Sequence, residues 1–240
     1  LEEVANEMIS LANFSRMAMI NRDDIDGRFA SFLTNPNITT YGSDPVAEYN
    51  FDDLGTYDEA TAWNLNTVDT ARKVNYLSTL EKDVLLEINK ARTDPRAYAA
   101  LYLLRFVKDG SASAAMKECI IEMKNTKALN ALQPGKGLAL AAQEWVRLQG
   151  PSEYIGHDMN LPKRLAKYCY FGFYSENISY GYNDARKIVI QLLEDDKVSN
   201  REHRKTILSR AFTHVGIGCG THKRYNYMCV QDFAERYKDK

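Results

Sequence analysis

Residues 199–220, SNREHRKTILSRAFTHVGIGCG, join a charged segment to a run in which every second residue is glycine or histidine. In that run Val215, Ile217 and Cys219 alternate with the glycines, and a period of two is typical of a β-strand with one buried face. Residues 225–234, YNYMCVQDFA, continue with Met228, Val230 and Phe233 after a short polar connection. The two runs predict an antiparallel hairpin near the C-terminus.

Upstream of this hairpin, five stretches have the apolar spacing of amphipathic helices. Ser78 or Thr79 is a suitable N-terminal cap for the first, and Asp94 followed by Pro95 opens the second. Asp184 caps the last. Helices combined with a small antiparallel sheet predict an α+β domain over residues 77–240. The five stretches lie at 78–93, 94–107, 110–127, 134–150 and 184–196.

Residues 1–76 differ in character from this domain, and we treat them as an N-terminal extension. Residues 1–20 carry apolar side chains at roughly helical spacing and predict an amphipathic helix. Residues 21–66 are rich in Asp, Asn, Thr and Tyr and contain turn signals, which indicates an irregular arm packing on the main body. The sequence does not define the role of this extension.

The charge balance excludes some classes of function. The 240 residues contain 31 Lys and Arg against 32 Asp and Glu, for a formal net charge of −1. Nucleic-acid-binding proteins normally show a basic excess or a basic stripe, so no nucleic-acid partner is expected. No apolar run approaches the roughly 18 residues of a transmembrane helix, so no membrane-spanning segment is expected.

Several side chains that could carry chemistry lie in the second half of the chain. Signatures of serine hydrolases, zincins, phosphate loops and dinucleotide folds are absent from the sequence. Three consecutive acids, Glu194, Asp195 and Asp196, end the last predicted helix, where the helix dipole disfavours negative charge. A nearby histidine would compensate for this cost.

The order of several motifs resembles the CAP superfamily, which comprises the cysteine-rich secretory, antigen 5 and pathogenesis-related 1 proteins and shares the sperm-coating-protein domain. The resemblance covers about residues 77–234 and is greatest to the compact bacterial branch. The motifs are LLEINKARTDP, GLALAAQEWV, GHDMN, SENISYG, QLLEDDKVSNREHRKTILSRAFTHVGIGCG and YMCVQDFA.

The resemblance implies a three-layer α-β-α sandwich with a small, mainly antiparallel sheet and a cleft that holds two histidines and two acids. It places His157, Glu176 and His203 in that cleft. The second acid is Asp195 by alignment, with Glu194 and Asp196 left open. The sequence departs from the family in two places: Leu192 and an Asp stand where the family more often has a Trp-containing helix followed by Glu, and Glu202 replaces the typical Gly before the second histidine. Similarity to some relatives implies zinc held by His157 and His203.

The resemblance implies a secreted or extracytoplasmic protein, located in the periplasm or at the cell surface, without a general enzymatic activity. The preferred hypothesis is a binding module for a divalent metal, a small amphipathic ligand such as a lipid or sterol, or a peptide. The aromatic stretch YCYFGFY at 168–174 motivates it, with Tyr174 and Asn177 as candidate ligand-binding residues. A metal-assisted hydrolase and an adhesion or scaffold domain are the alternatives, and no catalytic residue is assigned.

Four cysteines occur without the spacing of a zinc knot. Cys219 and Cys229 lie in the two strands of the predicted hairpin, where they either form a cross-strand disulfide or point into the core as thiols. Cys119 and Cys169 have no predicted partner. The oligomeric state is not defined by the sequence, and a monomer is the default expectation.

Overall fold

A computed structural model describes residues 50–240 of the chain. The predicted helix at residues 1–20 and the first part of the predicted arm lie outside the described residues. All five helices predicted for the main body are present. The described helices are α1 (Leu65–Val68), α2 (Thr79–Thr93), α3 (Pro95–Tyr98), α4 (Leu104–Lys108), α5 (Ala114–Asn125), α6 (Lys136–Gln149), α7 (Leu161–Ala166), α8 (Ala185–Glu194) and α9 (Glu202–Ile207).

The helix boundaries follow from local capping chemistry. Ser78 caps α2 in a full capping box with Glu81, which settles the choice between Ser78 and Thr79. Asp94 accepts a hydrogen bond from the backbone of Ala97 at the start of α3. The second predicted helix continues from α3 into α4 through a π-helical turn at Ala99–Leu103, and a 3₁₀ turn occupies Asp52–Leu54.

The described strands are β1 (Gln133–Pro134), β2 (Cys169–Phe171), β3 (Tyr174–Tyr180), β4 (His214–His222), β5 (Asn226–Ala234) and β6 (Tyr237–Asp239). The central sheet has four of them, in the order β1, β4, β5, β3. Strands β4 and β5 form the predicted hairpin, β3 pairs antiparallel with β5, and the two-residue β1 pairs parallel with β4. Strands β2 and β6 form a separate antiparallel pair.

Helices cover both faces of the central sheet, so the predicted α-β-α sandwich is confirmed. One face packs on α2 and α8, α5 packs on α8 behind them, and the main core lies among these elements. The other face packs on α6 and α7 through two smaller clusters of buried side chains. Strand β3 is the outermost strand on its side of the four-stranded sheet.

The glycines of β4 allow α6 to approach the sheet closely. A Cβ at Gly216 would meet the backbone of Leu138 and Ala139, and one at Gly218 would meet that of Ala142 and Gln143. Two residues of strand advance the chain by about 6.6 Å and four residues of helix by about 6 Å, so each alternate glycine of β4 lies opposite a successive turn of α6. The alternating glycines therefore form a flat surface on which the backbone of α6 lies.

The described part of the predicted extension contributes to the main core. Leu54, Trp63 and Val68 are buried there, and the Trp63 indole donates a hydrogen bond to the carbonyl of Lys90 at 3.1 Å. The side chain of Asn89 in α2 donates to the carbonyl of Val68 at 2.9 Å. The division of the chain at residue 76 stays a prediction.

Cys219 and Cys229 form the disulfide that the hairpin pattern allowed. They are direct partners in the β4–β5 register, and their Cα atoms are 4.0 Å apart. Cys119 and Cys169 are buried free thiols, and burial raises the pKa of each to about 12. Within residues 50–240, every helix is too short or too polar to cross a bilayer.

Candidate functional site

The four predicted cleft residues meet at the edge strand β3. Side chains alternate along a strand, so Glu176 projects towards α7 and Asn177 projects towards α9. Glu176 receives a hydrogen bond from His157, while Asn177 donates to the carbonyl of His203 at 3.1 Å. The two histidines therefore approach the edge strand from its two faces. Their ring centroids are 6.5 Å apart.

The first half-site consists of His157, Glu176, Arg164 and Asp232. The Nδ1 atom of His157 lies 2.8 Å from Oε1 of Glu176, while the other carboxylate oxygen, Oε2, accepts a hydrogen bond from Nη2 of Arg164. The side chains of Glu176 and Arg164 are 1% and 2% exposed, whereas that of His157 is 52% exposed. A buried ion pair thus presents one carboxylate oxygen to a solvent-accessible imidazole.

Asp232 lies beneath this ion pair. It is fully buried on β5, directly opposite Glu176 in the β3–β5 register. Burial and the nearby charge of Glu176 raise the pKa of Asp232 well above its usual value. Burial alone would also raise the pKa of Glu176, but the hydrogen bond from His157 and the charge of Arg164 outweigh it and lower that pKa.

The second half-site consists of His203 and Asp195. The Nδ1 atom of His203 lies 2.7 Å from Oδ1 of Asp195, and the backbone N–H of His203 donates to Oδ2 at 2.9 Å. The Asp195 side chain is 3% exposed and that of His203 is 21% exposed. Each histidine of the cleft therefore has Nδ1 on a buried carboxylate.

Backbone conformation explains why Asp195 faces His203. Asp195 ends α8 in the left-handed conformation, with φ of 53°, which turns its side chain away from the helix that it terminates. Its carboxylate instead meets the first turn of α9, where the helix dipole favours negative charge. Among the three acids, Glu194 pairs with the hydroxyl of Ser113, and Asp196 is exposed.

Arg204 fixes α9 in place. Its guanidinium is fully buried and donates to the carbonyls of Leu193 and Ala115. It also pairs with Glu118 and Glu122 of α5, both at 2.9 Å. These bonds tie α9 to the end of α8 and to α5, so two neighbouring helices hold the backbone that carries His203.

The donor chemistry of the cleft fits part of a zinc site. An imidazole whose Nδ1–H donates to a carboxylate has its lone pair on Nε2, the arrangement that orients metal-binding histidines. Two imidazoles on one tetrahedral zinc place their ring centres about 5 Å apart. The observed 6.5 Å would need the rings to approach by about 1.5 Å, for which the half-exposed ring of His157 is suited. Within residues 50–240, no group of three or more His, Cys, Asp or Glu side chains could hold a metal ion.

The remaining predicted residues have structural contacts. Asn177 is buried and holds the carbonyl of His203. Tyr174 packs with Phe171 in the cluster beneath α7. Tyr154, Ile155 and Met159, in the loop that carries His157, are instead exposed; Met159 is 92% exposed. Ligand binding by Tyr174 and Asn177 stays a prediction, as does an amphipathic ligand.

The serines beside Glu176 do not face either histidine. The hydroxyl of Ser175 pairs with Thr206 at 3.0 Å, and that of Ser179 donates to Gln191 at 2.5 Å. The histidine–carboxylate pairs are the groups here that could accept a proton from a bound water. The hydrolase alternative stays a prediction.

Sequence reasoning missed Arg164 and Asp232. Arg164 belongs to the six-residue helix α7, which begins with Leu161 and Pro162 and is too short to show a helical period. Asp232 falls between Gln231 and Phe233 in a strand predicted from its apolar residues. The signal available in the sequence was the position of Asp232. Alternation along the strand assigns this position to a buried face, where an unpaired charged side chain is rare.

The chain is similar to one protein family and to a solved structure. A family model described as "CAP: Cysteine-rich secretory protein family" matches residues 85–233. A solved structure, described as an extracellular protein containing a SCP domain from Bacillus anthracis str. Ames, is 22% identical with a TM-score of 0.37. That match covers 50% of this chain and only 38% of the solved one. No curated protein matches the chain. Because the family model spans well over half of the 240 residues, the chain belongs to the cysteine-rich secretory protein, or CAP, family.

Proposed function

We propose that this CAP-domain protein acts outside the cytoplasm and binds a divalent metal ion, zinc in the first instance, through Nε2 of His157 and His203. The observation that carries the proposal is the pairing of each Nδ1 with a buried carboxylate, at 2.8 Å for His157 and 2.7 Å for His203. This pairing fixes the ring orientation and leaves Nε2 directed to the cleft, as carboxylates behind metal-binding histidines do.

Glu176 and Asp195 support this role without binding the metal themselves. Each already accepts more than one hydrogen bond, from Arg164 and His157 in one case and from the His203 ring and backbone in the other. A carboxylate that is nearly fully buried and already paired is suited to orienting an imidazole. Zinc, when bound, would supply a Lewis acid in the cleft.

The first test is isothermal titration of metal-stripped protein with zinc. The wild type is expected to bind one zinc ion saturably, and a His157→Ala/His203→Ala double variant is expected to lose at least 100-fold in affinity, because both nitrogen donors are gone. His214→Ala is the matched control, since His214 lies on β4 against Tyr237, away from the cleft. Equal affinity in the double variant, or a non-binding wild type, would refute the proposal.

The carboxylates can be tested in the same titration. Asp195→Ala removes the partner of the His203 ring and is expected to weaken zinc binding by 10–100-fold. Asp196→Ala is its neighbour and control, because Asp196 is exposed and its carboxylate has no role in orienting His203. If the two variants bound zinc equally, Asp195 would have no orienting role.

The proposed location rests on the family and on the disulfide. Disulfides persist in oxidising compartments and are rare in reducing ones. In protein isolated from its native source under thiol-blocking conditions, we expect Cys219 and Cys229 to be oxidised. Cys119 and Cys169 should react only after denaturation, because both are buried. Four thiols that all become labelled without prior reduction would contradict an extracytoplasmic location.

A further inference from the structure

Asp232 faces Glu176 across two adjacent strands. The two residues are direct partners in the antiparallel β3–β5 pair, so their side chains project from the same face of the sheet. Asp232 is fully buried and the side chain of Glu176 is 1% exposed. Nη2 of Arg164 contacts both carboxyl groups, which brings them side by side. They form a buried carboxyl pair in the interior of the first half-site.

Two adjacent buried carboxyl groups favour a proton on one of them. Ionised carboxylates are acceptors only and repel each other, whereas an acid form can donate to its neighbour. Arg164 is the cation that contacts both carboxyls. Its Nη1 also serves Asp158 at 3.2 Å. Three ionised acids around one guanidinium would leave buried negative charge uncompensated.

The contacts place this proton on Asp232. Glu176 accepts hydrogen bonds from two strong donors, Nδ1 of His157 and Nη2 of Arg164, and such donors favour the ionised form. Asp232 has only long contacts to Arg164, at 3.4 and 3.5 Å. The raised pKa of Asp232 and the lowered pKa of Glu176 agree with this distribution.

We infer that Asp232 is a positioning residue that keeps its proton at neutral pH, donates it to Glu176, and thereby holds Oε1 of Glu176 on Nδ1 of His157. With Arg164 and Asp232 both engaging Glu176, the carboxylate cannot rotate away from the imidazole. The Nδ1–H tautomer of His157, with Nε2 left for the cleft, is the result. The inference rests on the proposed function, because it identifies the residue that orients His157, one of the two proposed zinc ligands.

The groups facing Asp232 come from three elements. Glu176 lies on β3, Arg164 on α7, and the buried thiol of Cys169 at the start of β2. Burial raises the pKa of Cys169 to about 12, so this thiol is not ionised at neutral pH. Cys169 therefore does not exchange a proton with Asp232 at neutral pH.

The test is nitrogen NMR of the histidine rings, which reports the tautomer of His157 without any metal. Asp232→Asn retains a hydrogen-bond donor without a charge, and we expect its His157 to keep the wild-type Nδ1–H tautomer. Asp232→Ala removes the donor, and we expect a mixture of tautomers for His157 while His203 remains unchanged. A mixture in Asp232→Asn, or a wild-type tautomer in Asp232→Ala, would overturn the inference.

A second measurement on the wild type covers the case in which Asp232→Ala does not fold. The side-chain carboxyl carbon of Asp232 should show the chemical shift of a protonated acid at pH 7, and that of Glu176 the shift of a carboxylate. An ionised Asp232 at pH 7 would overturn the inference. Neither experiment contains zinc, so a failure of the zinc titration with intact NMR results would remove the proposed function and leave the positioning role standing.

Discussion

Replacing Arg164 with leucine is expected to lower the free energy of unfolding by about 3–5 kcal/mol at pH 7, the cost of breaking a buried ion pair from one side. The guanidinium is 2% exposed and serves Glu176, Asp158 and Asp232. Without it, Glu176 remains as a buried carboxylate that has lost its cation. Chemical denaturation followed by circular dichroism measures the change.

Arg72→Leu is the matched control for this substitution. Arg72 also bridges two acids, Asp69 and Asp83, at 2.7 and 2.8 Å, but its side chain is 44% exposed. Exposed ion pairs contribute about 0–1 kcal/mol, so the control should differ little from the wild type. If the two substitutions lowered the free energy of unfolding equally, burial of the Arg164 ion pair would not be the reason for its contribution to stability.

The effect of Arg164→Leu should also depend on pH. Because the pKa of Glu176 is lowered in the folded state, its stabilising contribution is present above the unfolded pKa of about 4.3. That contribution is lost as the pH falls through the lower folded pKa. The difference between the wild type and Arg164→Leu is therefore expected to shrink between pH 7 and pH 3. A difference that grew on acidification would contradict this account of Glu176.

Gly216→Ala adds one methyl group to the sheet and is expected to lower the free energy of unfolding by about 3 kcal/mol or more. Its Cβ would overlap backbone atoms of Leu138 and Ala139, which cannot move without shifting the whole of α6. A helix displaced from β4 opens the core on that face, and thermal unfolding would report the loss.

Gly220→Ala is the graded control on the same strand and the same face. The atom in its way is Cγ1 of Val146, the end of a side chain that can rotate. We expect Gly220→Ala to lower the free energy of unfolding by about 1 kcal/mol or less. The effect of Gly218→Ala should be closer to that of Gly216→Ala, because the added Cβ also meets helix backbone. If the three substitutions cost the same, close packing of α6 would not be the reason for the glycines.

The sequence is informative about this fold where a pattern repeats. Helices α2 and α8 are long enough to show an apolar period and carry caps at Ser78 and Asp184. The hairpin is similarly visible because β4 and β5 each have nine residues. By contrast, β1 has two residues and α7 has six, which is too short for a period to appear.

The edge strand β3 shows why the site residues could be predicted only from the family resemblance. Its sequence, YSENISY, contains four polar residues between the tyrosines, yet Glu176, Asn177 and Ser179 are all buried. Each is buried because a specific partner from another segment satisfies it, and those partners are distant in sequence. Hydrophobic periodicity cannot reveal such a strand, since polar contacts take the place of apolar burial.

The position of the cleft astride β3 has a consequence for the order in which it can assemble. The His203–Asp195 pair spans 8 residues, so a short loop is enough to form the second half-site. Arg164 and Asp232 are 68 residues apart, and Asp232 reaches Glu176 only after β3 has paired with β5. Closing a longer loop costs more chain entropy and is slower. The cleft is therefore complete only when the sheet is complete, and a chain stalled before strand pairing would lack the contact of Asp232 with the first half-site.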